Sequence, residues 1–268
     1  MAKNATLVAL KVLDCQGSGS FASVITALLD VADRQDQQRH PAVATMSLAG
    51  GAYDLVDQVI ANLSASSRVA ITVAAGNAGD DACGYSPARA AAALTVAATD
   101  PPGASGTTDA LAGYSNRGGC VDLAAPGTSI RSAWHTGNSA SNVLSGTSMA
   151  TPLVAGLCAL VLEDQGPTAY DGPAAQTAVL TMATPNRTVG VRYALAFSSV
   201  GMPPVPPPPP PPPSSPPPTS STGGSAPQPN TARPNTPLGR FASEGAVVTE
   251  EVFLYAVAIV IPFVAALA

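Results

Sequence analysis

Short β-branched runs alternate with longer helical patterns through the first 200 residues, and this alternation limits the fold more than any other feature. Residues 7–12, 42–48, 69–74 and 94–97 read as strands; residues 21–34, 54–63, 148–162 and 174–182 read as helices. Strands separated by a helix cannot close as hairpins. They need crossovers, so they run parallel, with helices packed on both faces of one sheet. Ligands of such sheets collect at the carboxyl ends of the strands. Gly50-Gly51 and Gly76-Asn77 lie just past two of those ends.

The chain has 268 residues, enough for one sizeable domain with appendages. Charged residues make up only 11%, well below the usual quarter, so the surface must rely on Ser, Thr, Asn and Gly. A formal charge of −5 without a basic cluster argues against nucleic acid, because nothing neutralises phosphates. Four cysteines permit three complete pairings. Cys158 lies inside an apolar helix and reads as a buried thiol, and Cys15 has no assignable partner. No signal-peptide pattern is visible at the start: a single Lys3 precedes an apolar strand without a cleavage site.

From Pro203 the composition changes. An unbroken proline run from Pro206 to Pro213 and the mixed Ser/Thr/Gly/Pro stretch after it make residues 201–240 a disordered, partly polyproline spacer. Residues 252–268 are apolar and uncharged, and are read as a C-terminal hydrophobic helix. Its length of about 25 Å falls slightly short of a bilayer core of about 30 Å. A membrane anchor, a lipid-anchor signal and a peptide docking onto the domain are the competing readings of this tail.

The chemistry centres on Gly146-Thr147-Ser148-Met149-Ala150-Thr151-Pro152. Ser148 opens a helix that is nearly all small or apolar from Ala150 to Leu162. A serine there is either a helix cap or a nucleophile whose oxyanion the unpaired N–H groups of the first turn can hold. The neighbouring segments favour the second reading. Lys11-Val12-Leu13-Asp14, Ala42-Val43-Ala44-Thr45-Met46-Ser47-Leu48, Val73-Ala74-Ala75-Gly76-Asn77, Tyr85-Ser86-Pro87-Ala88-Arg89, Tyr114-Ser115-Asn116 and Asp122-Leu123-Ala124-Ala125-Pro126-Gly127 follow in order. Together with the serine motif, this series resembles the subtilisin-like serine proteases (the subtilase family), and the proteinase K branch in particular, over roughly residues 3–200.

The resemblance implies a subtilisin-like three-layer α/β fold over residues 1–200, N-terminally truncated, and a serine endopeptidase acting on extended polypeptide. It implies Ser148 as nucleophile and Asn77 as oxyanion donor. Ser47, Leu48, Ala49 and Gly50 would form one wall of the substrate cleft, and Ala74, Ala75 and Gly76 the other. It pairs Cys83 with Cys120 and points to an extracellular or membrane-anchored protein. No cofactor is expected, although Asp122 matches a position that binds calcium in that branch. In this family an Asp and a His precede the Ser in the sequence. Neither an Asp-Ser/Thr-Gly nor a His-Gly-Thr-His motif occurs here, and the two histidines, His40 and His135, are not expected to replace the base. The chain is therefore expected to be inactive or residually active as written. The alternative is a pseudoprotease or peptide-binding module, favoured by Ala49 and Leu153 where the family usually has Gly and His. The absent strand lies inside the family's sheet, so residues 1–200 alone are expected to be poorly soluble.

Overall fold

In the computed structural model, residues 2, 5–38, 40–102, 109–165, 171–183, 188–189, 194–195 and 258–262 are described. In chain order the elements are β1 (Ala5–Ala9), α1 (Phe21–Gln38), β2 (Val43–Met46), β3 (Gly50–Gly51), α2 (Asp54–Ser67), β4 (Ala70–Ala74) and β5 (Tyr85–Ser86). They continue with β6 (Leu94–Asp100), β7 (Asp109–Leu111), β8 (Leu123–Pro126), β9 (Ile130–Ala133), β10 (Ser141–Leu144), α3 (Thr147–Gln165) and α4 (Gly172–Met182). The short strands β11 (Thr188–Val189) and β12 (Ala194–Leu195) follow, and β13 (Ala258–Pro262) comes last.

Strands β2, β4, β6, β8 and β12 run parallel in one sheet, with Val43 opposite Ala70 and Thr72 opposite Leu94. Alternate side chains point to opposite faces, and each face has its own core. Ala44, Met46, Ile71 and Val73 pack with Leu28 and Val31 of α1 and with Val56 and Ile60 of α2. Val43, Ala70, Val96 and Leu123 pack with Val154, Cys158 and Leu162 of α3 and with Ala175 and Val179 of α4. Near-continuous apolar strands suit a sheet covered on both sides. Helix α3 is long and apolar enough to cross a membrane by length and composition, yet most of it is buried here as the central core helix.

Three details depart from the expected pattern. The first strand ends at Ala9 rather than at Val12, because the chain turns earlier: Leu13 bridges Gly19, and Asp14 Oδ1 accepts the N–H groups of Gln16 and Ser18. The sheet is mixed rather than purely parallel, with β7 antiparallel to β6 and β13 antiparallel to both of its neighbours. The tail read as a helix contributes a strand at 258–262, where Ile259-Val260-Ile261 favour the extended state and two open strand edges supply partners. The proposed spacer at 201–240 and the rest of the tail lie outside the described residues.

Candidate active site

The carboxyl ends of β2 and β4 flank the first turn of α3, and polar side chains join all three. Pro152 lies inside α3 and has no N–H for the carbonyl four residues earlier, that of Ser148. Ser47, just past β2, supplies the missing donor: its Oγ donates to the Ser148 carbonyl at 3.1 Å. From the other side, Thr147 Oγ1 accepts the Gly76 N–H at 3.2 Å and donates to Asn77 Oδ1 at 2.9 Å. Asn77 Oδ1 also accepts the Thr147 N–H at 2.9 Å. A backbone N–H can only donate, so the amide orientation of Asn77 is fixed and its Nδ2 donor is turned away from Thr147. Nδ2 lies 3.4 Å from where a Cβ on Gly146 would stand, at the turn before Ser148.

Ser148 is 6% exposed, and neither its Oγ nor its N–H has a partner among the described residues. The N–H belongs to the first helical turn, where it has no intrahelical acceptor. The Ser148 N–H nitrogen and the Nδ2 of the exposed Asn77 lie 3.7 and 3.4 Å from where a Cβ on Gly146 would stand, so both donors border the turn before Ser148. Helix α3 begins at Thr147, so the positive end of its dipole lies at the same place.

Loop 75–83 carries Asn77 and is braced by Asn116, which is fully buried. Asn116 Nδ2 donates to the Ala75 carbonyl at 2.9 Å, and its Oδ1 accepts the N–H groups of Ala78 and Asp80 at 2.9 and 3.1 Å. Gly76 has φ 103°, and a Cβ there would collide with Asn116 Nδ2, so the position accepts only glycine. A disulfide between Cys83 and Cys120, with Cα atoms 5.3 Å apart, ties the far end of this loop to the segment carrying Asn116. Asn116 and Thr147 belong to motifs visible in the sequence, but nothing local marks them as supports. A polar residue beside a helix start is the only hint at Thr147.

Of the residues expected to form the two walls, Ala74, Ala75 and Gly76 are buried at and just past the end of β4. Ser47, Leu48 and Ala49 leave β2 without sheet partners, whereas Gly50 is already paired with Ser86 in the β3–β5 ribbon. The free stretch of that wall is therefore 47–49. An apolar recess lined by Leu13, Gly19, Phe21, Val24, Leu48 and Ala49 opens beside it. Helix α2 holds the ribbon in place: Asp57 accepts from Ser86 Oγ at 2.9 Å and from Arg89 Nε at 2.6 Å, and Arg89 also reaches Asp54.

His40 is exposed at the amino end of β2, opposite the site, and His135 is exposed on the β9–β10 hairpin against Trp134. Asp122 Oδ2 accepts the Thr95 N–H at 2.7 Å, and burial raises its carboxyl above the ordinary range despite that bond. No cluster of three or more metal-binding side chains occurs among the described residues, so a calcium ion at Asp122 would depend on carbonyls. Burial pushes the Cys158 thiol up to about 12, so it stays protonated within the core.

The architecture is an α/β sheet covered on both faces by helices, with a serine in the first turn of a buried helix. The Subtilase family model matches residues 1–198, and the chain belongs to that family of serine proteases. It is 49% identical over 186 residues to the Extracellular serine proteinase of Thermus sp. (strain Rt41A), covering 69% of this chain and 42% of the relative. It is 44% identical over 164 residues to Proteinase T of Parengyodontium album, covering 60% and 53%. The crystal structure of a cold adapted subtilisin-like serine proteinase superposes with a TM-score of 0.60 at 36% identity, over 70% of this chain and 65% of that one. The chain thus spans about half, or less, of the length of these curated relatives.

Proposed function

We propose that residues 1–198 are the nucleophile-bearing part of a serine endopeptidase. Ser148 Oγ attacks the carbonyl of an extended polypeptide lying between Ser47–Ala49 and Ala74–Gly76. As the Oγ–C bond forms, the carbonyl oxygen gains charge between the Ser148 N–H and Asn77 Nδ2, and the Oγ proton passes to a base. The observation that carries this reading is the double fastening of the Ser148 turn, by Ser47 on one side and by Thr147–Asn77 on the other. Neither described histidine is placed to take the proton, so this chain alone holds the nucleophile and oxyanion donors without a base. Its turnover is set at the residual level such a site gives, about 10³–10⁴ over water at best. The Thermus relative's name, with the Cys83–Cys120 disulfide, supports an extracellular setting.

Peptide hydrolysis tests the proposal. The chain as given should match its Ser148→Ala variant. An in-frame extension carrying the family's Asp and His motifs should raise hydrolysis by several orders of magnitude, and only with Ser148 present. An extended chain that folds but gains no Ser148-dependent activity would overturn it. The partnerless Ser148 Oγ favours a second reading, a cleft that binds peptides without cleaving them. In that case extended peptides bind equally well with and without the extension and are never cut.

A further inference from the structure

We infer that Tyr114 is a positioning residue for the Ser148 site: its hydroxyl holds the base of the β9–β10 hairpin, whose second strand runs into the Ser148 turn. The inference rests on Ser148 being the nucleophile proposed above. Among the described residues, β9 and β10 pair only with each other and lie outside the nine-stranded sheet. A lone two-stranded ribbon is marginally stable, so its position is set by what fastens its ends. β10 ends at Leu144, and Ser145 and Gly146 lead from it directly into Thr147 and Ser148. A shift of the hairpin therefore moves the turn that carries the Ser148 N–H.

Gly127, just after β8, is the point of attachment. Its N–H donates to the Thr99 carbonyl at 3.1 Å, which ties it to β6, and its carbonyl accepts the Gly146 N–H at 2.9 Å. A Cβ on Gly127 would collide with the Ala98 side chain and stand 2.9 Å from the Gly146 carbonyl oxygen, so the three segments meet as closely as their backbones allow. Ser129, in the left-handed region with φ 58°, donates its N–H to Ser145 Oγ at 2.9 Å and closes the base of the hairpin. A carbonyl oxygen has two lone pairs, and Tyr114 Oη takes the second one on Gly127, at 3.1 Å. The tyrosine is held in turn. Thr128 Oγ1 donates to Asp100 Oδ1 at 2.5 Å, because a carboxylate only accepts. With that proton committed, the 2.9 Å contact between Tyr114 Oη and Thr128 Oγ1 has the tyrosine as donor. Asp100 ends β6, so it anchors the group to the main sheet. Gly146 in turn borders both Asn77 Nδ2 and the Ser148 nitrogen. The hydroxyl network thus sets how those two donors stand to each other, which matters most once the substrate's carbonyl oxygen carries charge.

Three variants test this. Tyr114→Phe keeps the ring and removes only the hydroxyl, Thr128→Val breaks the network one link away, and Thr128→Ser preserves it. Amide exchange on the full-length chain reads the anchoring. The Gly146 amide should exchange about two- to tenfold faster in Tyr114→Phe and Thr128→Val, the size of one lost hydrogen bond, and at the parental rate in Thr128→Ser, with β4 unchanged. Peptide hydrolysis by the chain extended in frame with the family's Asp and His motifs reads the chemistry. There kcat should fall about two- to tenfold in Tyr114→Phe and Thr128→Val with KM unchanged, and Thr128→Ser should match the parent. A tyrosine that only stabilises the fold would leave kcat alone. If Tyr114→Phe does not fold, the two Thr128 variants decide by the same readings. An extended parent without Ser148-dependent hydrolysis would overturn the nucleophile reading and this role with it. Ser148-dependent hydrolysis whose kcat these variants do not move, or an unchanged Gly146 amide, would overturn the positioning role alone.

Discussion

Pro152 and Ser47 act as a pair: one leaves the Ser148 carbonyl without its helical donor, and the other replaces that donor from a different strand. A buried carbonyl left unpaired costs about 1–3 kcal/mol. Ser47→Ala should therefore destabilise the chain by about that amount in denaturant unfolding. In a Pro152→Ala background the helix regains its own N–H, and the cost of Ser47→Ala should shrink, which a double-mutant cycle measures directly. Equal costs in both backgrounds would show that Ser47 acts some other way. Asp122 gives a pH test. Its folded value is raised above 3.8 by burial, so ionisation disfavours the folded state. That penalty is absent below about pH 3.8, grows as pH rises, and is complete above the folded value. Asp122→Asn should gain stability relative to the parent at about pH 7 but not at about pH 3, as read from unfolding at both pH values.

The elements were largely legible because periodicity reports burial. All four expected helices form around their predicted centres, and the apolar runs at 43–46 and 70–74 become the central strands. The clearest departure is local and has a local cause, the Asp14 turn that ends β1 early. Asn116 was legible only as a motif. Its four hydrogen bonds to distant backbone, at Ala75, Ala78, Asp80 and Gly76, follow from how two loops meet, which no local pattern encodes. The disulfide that joins those loops spans 37 residues. Closing a loop of that length in the unfolded chain corresponds to about 4 kcal/mol in the chain-entropy picture. A Cys83→Ser/Cys120→Ser variant should lose stability of that order by reversible unfolding, with hydrogen exchange rising first at 77–83. A loss below about 1 kcal/mol would mean that the Asn116 network holds the loops alone.

At the scale of the whole molecule, the Ser148 turn is fastened from two strands, and residues 258–262 pair with β1 and β2. The first feature was readable from an ordered series of motifs. The second was not, because an apolar C-terminal run suits a bilayer, a helix face and a strand edge equally well, and its pairing involves residues far away in the sequence. The proposed function rests on one central claim, that this chain presents Ser148 and its oxyanion donors without a general base. A fluorophosphonate probe read by peptide mass spectrometry tests that claim most directly. The account predicts no Ser148 adduct above the Ser148→Ala background for the chain as given, and stoichiometric labelling once the family's Asp and His motifs are joined in frame. Rapid labelling of Ser148 in the unextended chain would contradict it.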